Sequence, residues 1–152
     1  MTDDVYEHLA DALDKLPNAF PRTPSNVEIP LLKKIFSPEE ASLASRLCGD
    51  MEPIEVIARR VRLPADDART RLMTMARRGL LWFDEQAGRP RFRLAPFVVG
   101  IYEAQLESMD HELANLVEQY MMDGGAAGIM KPQPALHRVV PAQSAVKSEW
   151  IL

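Results

Sequence analysis

Two short amphipathic stretches, set apart by a three-residue turn and followed by a hairpin pattern, constrain this chain more than any other feature. The first runs from Pro53 to Val61 and turns its Ile54, Ile57, Ala58 and Val61 inward at helical spacing. Arg62-Leu63-Pro64 leads into a second helix with Ala68, Leu72, Met75 and Ala76 inward. That helix ends at Arg77-Arg78-Gly79, where Gly79 reads as a C-cap. Leu81-Trp82-Phe83 and Arg91-Phe92-Arg93-Leu94 then flank Glu85-Gln86-Ala87-Gly88-Arg89-Pro90 as a hairpin. The two-residue period of a strand turns Phe92 and Leu94 in and Arg91 and Arg93 out, with Arg89 beside them if the strand begins that early. Two helices across a short turn followed by a β-hairpin form the pattern of a winged helix-turn-helix. Such an architecture offers a helix and a wing to a nucleic-acid groove or to a partner protein, and the pattern does not choose between them.

The remaining segments read as additions to that unit, giving a mainly α fold with a small β-hairpin wing, an extra N-terminal helix and a long C-terminal helix. Residues 3 to 16 form the N-terminal helix on Val5, Leu9, Ala12, Leu13 and Leu16, with Asp3, Asp4 and Glu7 near its positive end. Pro17 stops it, and Pro17 to Pro24 reads as a linker lying over the domain. Ile29 to Phe36 supplies Leu31, Leu32, Ile35 and Phe36. Ser37-Pro38-Glu39-Glu40 carries the signature of a capping box, and Leu43, Ala44 and Leu47 form the buried face behind it. From Pro96 to Asp123 apolar residues recur as one amphipathic helix, roughly 40 Å long at the helical rise. The expected organisation is therefore 1–24 N-terminal helix and linker, 25–95 winged-helix domain, 96–128 long helix and 129–152 extended tail.

At 152 residues and 47% hydrophobic composition the chain can fill an ordinary core. A formal charge of −4 and a pI near 5.4 argue against general affinity for nucleic acid. The charge is unevenly spread, however. Residues 51 to 95 hold ten arginines and no lysine against six acids, while both flanks are acidic. The single cysteine, Cys48, excludes an internal disulfide, cannot by itself hold zinc or an iron–sulfur cluster, and reads as a small buried hydrophobe. The acidic start Met-Thr-Asp-Asp is no signal peptide, and no apolar run approaches the ~20 residues of a membrane span, so a cytoplasmic location with no membrane partner is expected.

Nothing in the pattern supports catalysis. His8, His111 and His137 are scattered, and the acid pairs Asp66-Asp67 and Glu39-Glu40 lie at helix starts, where the macrodipole explains them. Gly124-Gly125-Ala126-Ala127-Gly128 follows a helix instead of opening one, so it is no phosphate loop. The arginines are the functional candidates. Arg69, Arg71 and Thr74 on the second helix and Arg89, Arg91 and Arg93 on the wing are the candidate nucleic-acid contacts. Asp66 and Asp67 oppose that reading, because they occupy the helix start that normally approaches base edges. The candidate protein interface is the long-helix stripe of Val98, Tyr102, Met109, Leu113, Leu116 and Tyr120, which packs on the N-terminal helix, on a second copy of the chain, or on a further domain.

Leu31-Leu32-Lys33-Lys34-Ile35-Phe36-Ser37-Pro38-Glu39-Glu40-Ala41, Pro53-Ile54-Glu55-Val56-Ile57-Ala58 and Ala135-Leu136-His137-Arg138-Val139-Val140-Pro141 resemble one known region. It is the N-terminal winged-helix region of bacterial and archaeal ferredoxin-type 4Fe-4S proteins, and the similarity runs over most of residues 25 to 152. In that family the cysteine clusters that bind the iron–sulfur centres lie downstream. The chain ends on Trp150-Ile151-Leu152 before any such cluster, as expected of a piece of a longer protein, and with Cys48 alone no cluster ligand carries over. The resemblance implies no cofactor in this chain and 4Fe-4S clusters in a downstream part. It also implies a non-catalytic interaction or scaffold module, with the chain's own iron–sulfur domain or another protein as partner. The alternative is a DNA-binding regulator, which a homodimer with second helices about 34 Å apart would favour.

Overall fold

The computed structural model describes residues 2–126. The tail expected over 129–152, with His137 and the segment Ala135 to Pro141, lies outside the described residues. The fold is mainly helical with a small three-stranded antiparallel sheet. Helix α1 (Thr2–Asp14) buries Tyr6, Leu9, Ala10 and Leu13, the i, i+3, i+4, i+7 face of an amphipathic helix, against α2 (Glu28–Ile35) and α3 (Pro38–Ala44). The capping box that starts α3 is present: the Glu40 amide donates to Ser37 Oγ at 3.2 Å, and the Ser37 amide donates to Glu40 Oε1 at 2.9 Å.

Strand β1 (Glu52–Pro53) leads directly into α4 (Ile54–Val61), and α5 (Ala65–Arg77) follows. Arg62 joins the two helices in the left-handed conformation at φ 59°, and the Arg62 and Leu63 amides both donate to the Ala58 carbonyl. This closes the helix end without a glycine. Gly79 has φ 79°, and a Cβ there would stand 2.1 Å from that of Ala104, so both backbone and space require glycine. Strands β2 (Leu81–Gln86) and β3 (Arg89–Leu94) pair in register Leu81↔Leu94 through Gln86↔Arg89. The turn between them is only Ala87-Gly88, both at positive φ, as the twist of a two-residue hairpin demands. Strand β3 therefore does begin at Arg89. It also pairs with β1, giving the order β1-β3-β2, and that third strand is absent from the hairpin expectation.

The single long C-terminal helix is not formed. Val98 and Val99 are extended, α6 (Tyr102–Ala104) and a 3-10 turn at Leu106–Ser108 follow, and α7 (His111–Tyr120) starts afresh. Two local features account for the break. The β-branched pair Val98-Val99 favours extended backbone, and Asp110 is an N-cap whose Oδ1 accepts from the Leu113 amide at 2.8 Å. Apolar spacing alone bridges these interruptions because short helices can preserve an inward face through a bend.

One contiguous core joins residues from Tyr6 to Tyr120. Phe20, expected in a surface linker, is fully buried, with its ring centroid 4.9 Å from those of both Phe97 and Tyr120. The Tyr120 hydroxyl donates to the Pro21 carbonyl at 2.8 Å, so its polar end is satisfied. Burial, with the Glu28 and Asp14 charges, drives that phenol well above its ordinary range. Glu28 is itself 0% exposed. Its carboxylate accepts from the Thr23 hydroxyl at 2.6 Å, the Thr23 amide at 3.1 Å and Arg22 Nε at 2.7 Å. Arg22 in turn reaches Glu7 and Asp11 of α1. Burial pushes the Glu28 carboxyl up, but these hydrogen bonds outweigh it and hold it below the usual carboxylate range. This network ties α1, the 17–24 segment and α2 together.

Candidate functional site

The outer face of the hairpin holds the three wing arginines, and two of them, Arg91 and Arg93, are engaged within the chain. Arg91 Nε and Nη2 donate to Asp84 Oδ1 and Oδ2 at 2.8 and 2.6 Å, a bidentate pair across the strands. The same hydrogen bonds hold the Asp84 carboxyl below its ordinary range. Arg93 donates to the Gly49 carbonyl at 3.2 Å and lies 4.2 Å from the centre of the Trp82 ring, a cation–π contact. Arg89, at the turn, is exposed and has no ion pair among the described residues.

On α5 the candidate residues do not converge. Positions two apart on a helix point about 200° apart, so Arg69 and Arg71 leave on opposite flanks of the buried Ala68-Leu72-Met75 face. Arg71 lines a cleft between α3 and α5 together with Glu39, Glu40, Leu43, Thr70 and Thr74, with a volume of about 300 Å³. A second cleft of about 340 Å³ adjoins it, sharing Glu39, Leu43 and Arg71 and continuing to Arg46, Val61 and Leu63. The Thr74 and Thr70 hydroxyls donate to the carbonyls of Thr70 and Asp66, so neither donor points outward. Glu40 is engaged by Arg78, which also donates to the Ile35 carbonyl. Burial raises the Glu40 carboxyl, yet Arg78 and the Ser37 amide bring it below its ordinary range. Glu39 and Arg71 make no ion pair among the described residues.

The expected interface stripe is divided among several elements. Leu113 and Tyr120 lie in the chain's own core, where α7 packs on α2. Val98, Tyr102, Met109 and Leu116 are half-buried against it. The large apolar groups that do reach the surface are other residues: Val99, Leu106 and Met122 within the same stretch, and Val56, Trp82 and Phe83 outside it. Trp82 and Val99 border a cleft of about 330 Å³ with Leu16, Pro17, Asn18, Arg93 and Pro96. The signal for Trp82 lies in the strand period, since it follows the inward Leu81 and so points to the opposite face of the sheet.

Cys48 is exposed instead of buried; its thiol lies 3.6 Å from Glu52 Oε1 and 3.8 Å from the Asp50 carbonyl. The apolar residues that precede it end at Leu47, and the chain turns outward before β1. Among the described residues no group of three His, Cys, Asp or Glu side chains could hold a metal ion. No helix among them is long and apolar enough to cross a membrane. Comparison with protein-family models, with curated proteins and with solved structures found no match.

Proposed function

We propose that the chain is a non-catalytic protein-interaction module, with residues 52–94 forming a winged helix-turn-helix, and that it serves a cytoplasmic ferredoxin-like iron–sulfur electron-transfer protein. The helix–turn–helix–hairpin order and the β1-β3-β2 sheet support the winged helix. The resemblance of residues 31–41, 53–58 and 135–141 supports the iron–sulfur parent, whose 4Fe-4S clusters would be held outside this chain. The observation that carries the interaction reading is the outer face of the hairpin. Arg91 is neutralised by Asp84, and Arg93 is laid over Trp82, leaving an indole and Val99 beside an apolar cleft. Such a face suits an apolar partner better than a phosphate backbone.

A second reading, a DNA-binding regulator, is favoured by Arg69, Arg71, Arg77 and Arg89, which are exposed and make no ion pair among the described residues. Titrating random duplex DNA at falling salt, with the chain and an Arg89→Ala/Arg91→Ala/Arg93→Ala variant, separates the two. The interaction reading expects no binding even at low salt. Tight binding that weakens with salt and falls in the variant would replace it with the regulator.

A further inference from the structure

Two adjoining clefts, one between α3 and α5 and one between α3 and the α4–α5 junction, form one groove, and its chemistry is specific enough to select a partner. The floor is apolar, made by Leu43, Val61, Leu63 and Met75. Three charges stand along it without an ion pair among the described residues: Glu39 on the α3 side, Arg71 on the α5 side, and Arg46 at the far end. The Arg46 guanidinium donates to the Arg60 carbonyl, which fixes its position and leaves its charge uncompensated. Its lining comes from helices and the turns next to them, so the groove offers no strand edge to an extended peptide. The Thr70 and Thr74 hydroxyls already donate to their own helix. A helix, which satisfies its own backbone groups, suits such a groove better than an extended strand.

We propose that this groove docks an amphipathic helix of a partner protein. The helix would set apolar side chains at i, i+4 and i+7 on the floor and present carboxylates to Arg71 and Arg46. A basic side chain would face Glu39. This docking rests on the interaction-module reading and adds to the hairpin face a second surface, with the form of the partner that fits it. Nucleic acid fits the groove poorly, because the carboxylates Glu39 and Glu40 line it together with Arg71.

The test is chemical-shift mapping on the full isotope-labelled chain with helical leucine-bearing peptides at that spacing, in glutamate-rich and lysine-rich versions. Shifts clustered on α3 and α5 for the glutamate version are expected. Arg71→Glu should weaken that version about tenfold and improve the lysine version. Thr70→Trp, at an exposed position, should block both without unfolding the chain. Shifts confined to the Trp82 cleft, no shifts with either peptide, or indifference to Arg71→Glu would overturn the groove assignment. If random duplex DNA also leaves the spectrum unchanged, the interaction reading survives and only its surface is wrong. DNA shifting the α5 resonances where the peptides do not would overturn both.

Discussion

Arg22 with Glu28 and Arg71 with Glu39 combine the same residue types in opposite circumstances. Glu28 is fully buried, and every charge in its network has partners on α1, the 17–24 segment and α2. Glu39 and Arg71 stand on facing walls of an open groove and make no ion pair among the described residues. A buried carboxylate is tolerated because its hydrogen bonds replace water, so it is committed to the fold. A solvated pair gains little by closing and stays available to a partner. Charge in this chain thus performs two tasks, and burial separates them.

The contrast can be broken most directly at Glu28. Glu28→Gln removes the charge that holds Arg22 and turns the Thr23 hydroxyl from donor to acceptor, and it should cost about 2–3 kcal/mol, toward the low end because Arg22 stays partly in water. Urea unfolding measures this loss, and a change under about 0.5 kcal/mol would place Glu28 outside the stabilising network.

The same carboxylate sets a pH dependence. Its folded pKa is depressed, so the unfolded chain takes up the proton first as pH falls. The stabilisation is complete above the unfolded carboxyl value of about 4.3 and is lost as pH falls through the lower folded value. Unfolding followed against pH should show an acid-side decline that is shallower in Glu28→Gln.

Ser37→Ala probes the middle ground, since the capping box holds the start of the groove wall and shares Glu40 with Arg78. It should cost about 1 kcal/mol in thermal or urea unfolding. Arg71→Ala sharpens the other side of the comparison. It should change stability by no more than about 0.5 kcal/mol while weakening the acidic helical peptide. A larger stability loss would make Arg71 a fold residue.

Several parts of this arrangement were readable from residue order. The Ser37–Glu40 box, the Arg62-Leu63-Pro64 turn and the inward Phe92 and Leu94 all stand as their local pattern requires. The continuous 96–123 helix failed where apolar spacing outvoted local signals, the extended Val98-Val99 and the Asp110 cap. The candidate contacts Arg91 and Arg93 were correctly placed on the outer face, but nothing in their own strand shows the Gly49 carbonyl that Arg93 reaches. Asp84, seven residues from Arg91, becomes its partner only through the hairpin register.

What the chain order determined by itself is where helices and strands start, stop and turn, because caps, positive-φ turns and side-chain periods act over a few neighbouring residues. Only the tertiary structure decided which charges are free. Arg78 meets Glu40 across 38 positions, Arg93 meets Gly49 across 44, and Tyr120 meets Pro21 across 99. Burial and pairing are properties of such distant neighbours. That is why Glu28 became a fold residue, Cys48 a surface thiol, and Arg71 with Glu39 the uncommitted walls of a groove.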